Sequence, residues 1–214
     1  MKTSSLFRQS AALLSGVALA AAAACAAGKD AELDHAHPGD SAASMSMGMA
    51  EPVIPAGAFY IAADVKFMQG MIAHHGQAVA MAKMAKSHGA NAELLKFTMK
   101  IDLSQQAEIA LMQDWLYERE QDAPDSSAHH HMAMPGMLTE AQMKELDAAR
   151  GKAFDRLFLI YMIQHHEGAL KMVADLQATP LAMQDALLSS FSADIDTDQR
   201  AEILKMHQML DAMN

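Results

Sequence analysis

The amino-acid sequence predicts an all-α protein, an antiparallel four-helix bundle built from two copies of one helical hairpin. Three observations carry this. Long stretches after residue 56 have helical composition, with few internal Gly or Pro and none of the period-two alternation that marks strands. Asp64-Val-Lys-Phe-Met-Gln-Gly-Met71-Ile-Ala-His74-His75 aligns without gaps on Asp155-Arg-Leu-Phe-Leu-Ile-Tyr-Met162-Ile-Gln-His165-His166, at an offset of 91 residues, and the match runs on through Met81 and Met172. Ile101-x-x-x-Gln105-x-x-Glu108-Ile109-x-x-Met112 likewise aligns on Ile195-x-x-x-Gln199-x-x-Glu202-Ile203-x-x-Met206, at an offset of 94.

The elements follow in order. Residues 1–24 read as a secretory signal: Lys2 and Arg8 precede a run of small apolar residues from Ala11 to Ala24, too short to span a bilayer. The run stops at Cys25, the single cysteine, in a setting that resembles a bacterial lipoprotein box, with Ala22 where Leu is usual. Lipidation of Cys25 and ordinary cleavage at a neighbouring Ala-x-Ala are the two readings. A lone cysteine excludes an internal disulfide. Residues 25–56, rich in Ala, Gly, Ser and Pro, are expected to be a flexible tether to the bundle of residues 57–214.

Within the bundle, the first repeat covers residues 57–121. One helix runs from near Gly57 to His88, stopped by Gly89, and a second from Asn91 to near Gln121. A loop, 122–138, joins it to the second repeat, 139–214. There Thr139-x-x-Gln142 is a capping box, Gly151 interrupts the helix, and Thr179-Pro180 is expected to open the last helix as N-cap and first helical residue.

Projected at about 100° per residue, Asp64 and His75 share the apolar stripe of the first helix, and Asp155 and His166 share that of its counterpart. Glu108 and Glu202 face inward from the partner helices. Buried ionisable groups are costly unless paired, hydrogen-bonded or ligated. A polar network that fixes helix register and a metal site between helices both answer that requirement. His74 and His165 fall on the flank of the stripe. Met71 lies three residues before His74, and Met162 three before His165, which sets a thioether beside an imidazole on one helical face.

Two segments outside the predicted helices are loaded with the same residue types. The tether carries Met45, Met47 and Met49, and the loop carries His129, His130, His131, Met132, Met134 and Met137. Core packing does not explain methionines in such surroundings. Thioethers select Cu(I), imidazole suits both copper states, and short flexible tracts let several side chains close on one ion.

The doubled Asp-x-x-Phe-x-x-x-Met-x-x-His-His-x-x-Ala-x-x-Met pattern, with Glu-Ile-x-x-Met in the second helix of each copy, resembles the bacterial "domain of unknown function 305" family. The resemblance covers about Phe59 to Met213. It implies a ferritin-like fold, export, and kinship with CopM-like copper-binding proteins of the envelope. It also implies copper-ligand roles for Met71, His74, His75 and Met81, and for Met162, His165, His166 and Met172. Asp64, Glu108, Asp155 and Glu202 are further candidate ligands.

The expected function is copper binding, as Cu(I) and also Cu(II), for sequestration, tolerance or delivery in the periplasm or at a membrane surface. Ligand exchange, not catalysis, is the expected chemistry, with copper ions and other envelope copper proteins as partners. A formal charge of −10, from 26 acidic and 16 basic residues, argues against nucleic acid. The alternative is a ferritin-like metal oxidase using Asp64, His75, Glu108, Asp155, His166 and Glu202. Against it, neither Glu108 nor Glu202 begins the Glu-x-x-His that a di-iron centre requires.

Overall fold

The structure, a computed structural model, describes residues 50–127 and 134–213. The signal segment, Cys25, and the tether as far as Met45, Met47 and Met49 lie outside the described residues, as do His129, His130, His131 and Met132. Five helices occupy the described residues: α1 (Ala62–Ser87), α2 (Ala92–Tyr117), α3 (Glu140–Ala148), α4 (Lys152–Gln177) and α5 (Ala186–Asp211). None is long and apolar enough to cross a membrane. The four long helices form the bundle, and α3 is a short turn of helix laid on α4.

Local signals in the sequence set most of the boundaries. Gly89, at φ +71°, ends α1, and Ala90 N donates to Ala85 O in the manner of a left-handed cap. Asn91 caps α2 by accepting from Glu93 N and Leu94 N. Thr139 and Gln142 form the predicted capping box of α3. Gly151, at φ +56°, separates α3 from α4 and ties its N–H to His88 O at 2.8 Å.

The expected start of the last helix is corrected. Thr179 Oγ1 donates back to Asp175 O, so Thr179 closes α4 and does not cap a new helix. The chain then turns through Leu181 and Met183, both at positive φ, and Asp185 is the N-cap of α5, accepting from Leu188 N at 2.9 Å.

Each aspartate of the repeat holds the opposite hairpin. Asp64 accepts from Ile61 N at the start of α1 and from Met183 N in the α4–α5 turn, both at 2.9 Å. Asp155 accepts from the backbone N–H and the side-chain amide of Asn91, in the α1–α2 turn. Helices α1 and α4 therefore run antiparallel as the central pair. Helices α2 and α5 flank them and are linked by Lys100 to Glu202 at 3.3 Å and Lys205 to Glu93 at 2.6 Å.

Two apolar clusters fill the interior. One gathers Val65, Met68, Met71 and Ile72 of α1 with Trp115, Leu116, Val173, Leu176 and Phe191. The other gathers Met81, Ala82 and Ala85 with Leu94, Phe97, Phe154, Phe158, Met162 and Met206. Residues related by the repeat, such as Met71 and Met162, fall in opposite clusters. The pseudo-two-fold axis thus exchanges the clusters, and it passes through the layer between them.

Candidate metal centre

That layer is polar. His74, His75, His165 and His166 are all buried, as are Gln105 and Gln199 of α2 and α5. His74 and His165 meet across the α1–α4 crossing with ring centroids 3.8 Å apart. His75 and His166 point away from the axis, each toward its own hairpin's second helix. His75 Nε2 lies 2.5 Å from Glu108 Oε2, and His166 Nε2 lies 2.8 Å from Glu202 Oε2.

The two axial rings are held by backbone. His165 Nε2 donates to His74 O at 3.0 Å, and His74 Nε2 donates to Pro135 O at 3.0 Å. A carbonyl oxygen only accepts, so the ring nitrogen facing it carries the proton. Burial, reinforced by His75, lowers His74 from its ordinary value to about 3. His165 is held well below its ordinary value by burial first and then by His74 and His166. Both rings are therefore neutral, protonated on Nε2 and bare on Nδ1.

The Nδ1 atoms of all four histidines are buried and have no hydrogen-bond partner, as do Gln105 Oε1 and Gln199 Oε1. An unmet buried polar atom costs about 1–3 kcal/mol. The lone pairs on Nδ1 of His74 and His165, with Met71 and Met162 one turn before them, fit a soft cation held by imidazole and thioether. Among the described residues, no three His, Cys, Asp or Glu side chains converge to hold an ion.

The structure sorts the sequence candidates. It brings Met71, His74, His75, Met162, His165 and His166 to the layer or its border. Met81 is fully buried in the second apolar cluster, two turns beyond His74, while its counterpart Met172 is only half-buried. His74 and His165, on the flank of the apolar stripe in the helical projection, are buried because α1 and α4 cover each other on that side. Asp64 and Asp155 are committed to turns at the bundle ends, about 16 Å of helix from the histidines. The six residues of the alternative oxidase site are therefore not assembled: the aspartates cap turns, and each glutamate is closed onto one histidine.

Glu202 differs from Glu108. Burial works to raise its carboxyl, but the hydrogen bond and charge of His166, with Lys100 behind them, outweigh it and hold it below the usual range. The repeat gives Glu108 no matching cation, since Asp194 stands where Lys100 would have its counterpart.

The loop contributes more than composition implies. Met137 is buried, so packing does explain it. Leu138 exchanges two hydrogen bonds with the side chain of Gln77, and Gln69 donates to Asp122 O at 2.8 Å. Sequence reasoning missed Pro135, whose carbonyl orients His74, because a backbone acceptor leaves no trace in residue type. Gln105 and Gln199 were visible in the repeat, but their burial without a partner for Oε1 was not.

The sequence pattern described as Domain of unknown function (DUF305) matches residues 64–210. Among curated proteins, none matches the chain. Several solved structures do. A DUF305 protein from Streptomyces coelicolor, described as secreted, is 26% identical with a TM-score of 0.63, covering 71% of this chain and 93% of its own. A DUF305 fragment from Deinococcus radiodurans is 28% identical with a TM-score of 0.62, covering 72% and 98%. CopM in its Cu(II)-bound form is 28% identical with a TM-score of 0.59, covering 71% and 97%, and its Cu(I)- and silver-bound forms match as well. With the family pattern spanning all four long helices and both His-His pairs, the chain belongs to the DUF305 family.

Proposed function

We propose that this protein binds copper, Cu(I) above all, in the bacterial envelope and holds it or hands it on by ligand exchange. The observation that carries the reading is the set of four buried Nδ1 atoms without partners. A cation drawn to the bare Nδ1 of His74 and His165 relieves a desolvation cost that the folded protein otherwise bears. Met71 and Met162 supply thioethers one turn before His74 and His165. The likeness to CopM, solved with Cu(I), Cu(II) and silver, supports the choice of metal.

In this reading Glu108, Glu202 and the carbonyls of His74 and Pro135 fix each ring through Nε2 and leave Nδ1 to ligate, as outer-shell partners do at metal sites. The acidic surface raises the local cation concentration. The signal segment exports the chain, a lipid on Cys25 holds it at a membrane, and the Met and His tracts of tether and loop gather ions.

The test is anaerobic Cu(I) titration, and aerobic Cu(II) titration, against a competing chelator. The His→Ala changes at positions 74, 75, 165 and 166, made together, are expected to abolish tight binding. Met71→Leu with Met162→Leu, which conserves volume, is expected to weaken Cu(I) more than Cu(II). Unchanged stoichiometry and affinity in both variants overturns the helical site.

A further inference from the structure

Gly70 lies on α1 one turn before His74, and its missing side chain admits two thioethers from elsewhere in the chain. A Cβ built there would lie 3.3 Å from the Met134 sulfur and 3.5 Å from the Met172 methyl. Met134 comes from the inter-hairpin segment and Met172 from α4, yet they meet over one point of α1. Both are half-buried, whereas Met71, Met81 and Met162 are fully buried.

His74 adds the third donor. Side chains on a helix lean toward its N-terminus, over the residue four before, which here is Gly70. Its Nε2 is fixed by the carbonyl of Pro135, the neighbour of Met134. Its Nδ1, on the backbone side of the ring, is buried and has no partner.

We propose that Met134, Met172 and Nδ1 of His74 form a single site for a soft monovalent cation over Gly70. Two neutral, polarizable sulfurs and one imidazole nitrogen suit Cu(I) or Ag(I) and disfavour hard divalent ions. The inference rests on the copper reading above and deepens it: the half-exposed thioethers are where an ion from solvent first meets the buried imidazole layer.

The repeat does not duplicate this site. Tyr161 stands at the position of Gly70, fills the space and donates its hydroxyl to Glu145. Met81, at the position of Met172, is sealed in the second apolar cluster. Among the described residues the repeat thus yields one such site, over α1 where α4 and the connecting segment meet it.

The test uses the full-length protein with methyl-13C methionine and Ag(I) added below one equivalent, followed by NMR. The Met134 and Met172 methyl signals are expected to move first and together, while that of Met81 stays. Met134→Leu with Met172→Leu is expected to weaken the first equivalent of Ag(I) or Cu(I) on the order of tenfold or more, and Gly70→Leu, which displaces both sulfurs, to do the same. If Met71 or Met162 moves while Met134 and Met172 do not, the site over Gly70 is wrong and metal binding stands. If no methionine or histidine signal moves, both the site and the copper reading fall.

Discussion

His165 donates its Nε2 hydrogen to the backbone carbonyl of His74, and His74 does not return the bond. Its own Nε2 turns instead to Pro135 of the connecting segment. At the one place where the two copies touch on their axis, the symmetry of the repeat is broken by the loop that joins them.

This arrangement fixes a tautomer. In metal-free protein, 15N NMR of the histidine rings is expected to show Nε2 as the protonated nitrogen and Nδ1 as the bare one for His74 and His165. Silver or Cu(I) is expected to move the Nδ1 signals and leave Nε2 protonated. Protonated Nδ1 in the free protein would contradict the hydrogen bonds described.

Neutral burial of the two rings makes the metal-free fold sensitive to acid. Above pH 6.5 neither the folded nor the unfolded chain protonates them, and they add no pH dependence. Below it the unfolded chain takes up protons that the folded chain refuses until far lower, about 3 for His74. Stability is therefore expected to fall with pH below 6.5, by up to about 1.4 kcal/mol per pH unit for each ring. Urea unfolding at pH 7.5 and 5.5 measures it, and His74→Gln with His165→Gln is expected to flatten the slope.

The two His–Glu pairs are expected to differ in worth. Glu202, with its side chain 4% exposed, closes on the fully buried His166, so Glu202→Ala strands that ring in the interior and costs roughly 3 kcal/mol, while Lys100, 63% exposed, turns to water. Glu108, 19% exposed, holds His75 alone, and water reaches the gap, so Glu108→Ala costs about 1 kcal/mol. Denaturant midpoints of the two variants, compared at constant slope, test the order.

Two helical glycines are expected to respond in opposite ways. A Cβ at Gly168 would lie 2.0 Å from Pro135 O, so Gly168→Ala forces the connecting segment off α4 and costs on the order of 1–3 kcal/mol. At Gly70 the nearest atom is the flexible end of Met134, and the helix gains up to about 1 kcal/mol of propensity on Gly70→Ala. Thermal melts of both variants separate the cases.

Much of this was legible in the sequence. The repeat fixed the hairpins, and Gly89, Thr139–Gln142 and Gly151 marked real boundaries because each acts through its own local backbone. What failed needed the partner helix. A single-helix projection leaves His74 and His165 on a flank, since it has no knowledge of the second copy that covers them. Thr179-Pro180 has the letters of an N-terminus, but the hydroxyl found the carbonyl of Asp175 first. Met81 and Met172 are equivalent in the repeat, and only Gly70 against Tyr161 tells which of them has space on the facing helix.

Each apolar cluster draws helices from both hairpins, so a hairpin by itself leaves half of every cluster uncovered. Neither copy can therefore fold as an independent unit without exposing the apolar face that the other covers. Because both copies lie in one polypeptide, equivalent positions need not match: Tyr161 and Gly70 occupy the same place in the repeat, a difference that a symmetric pair of identical hairpins could not carry.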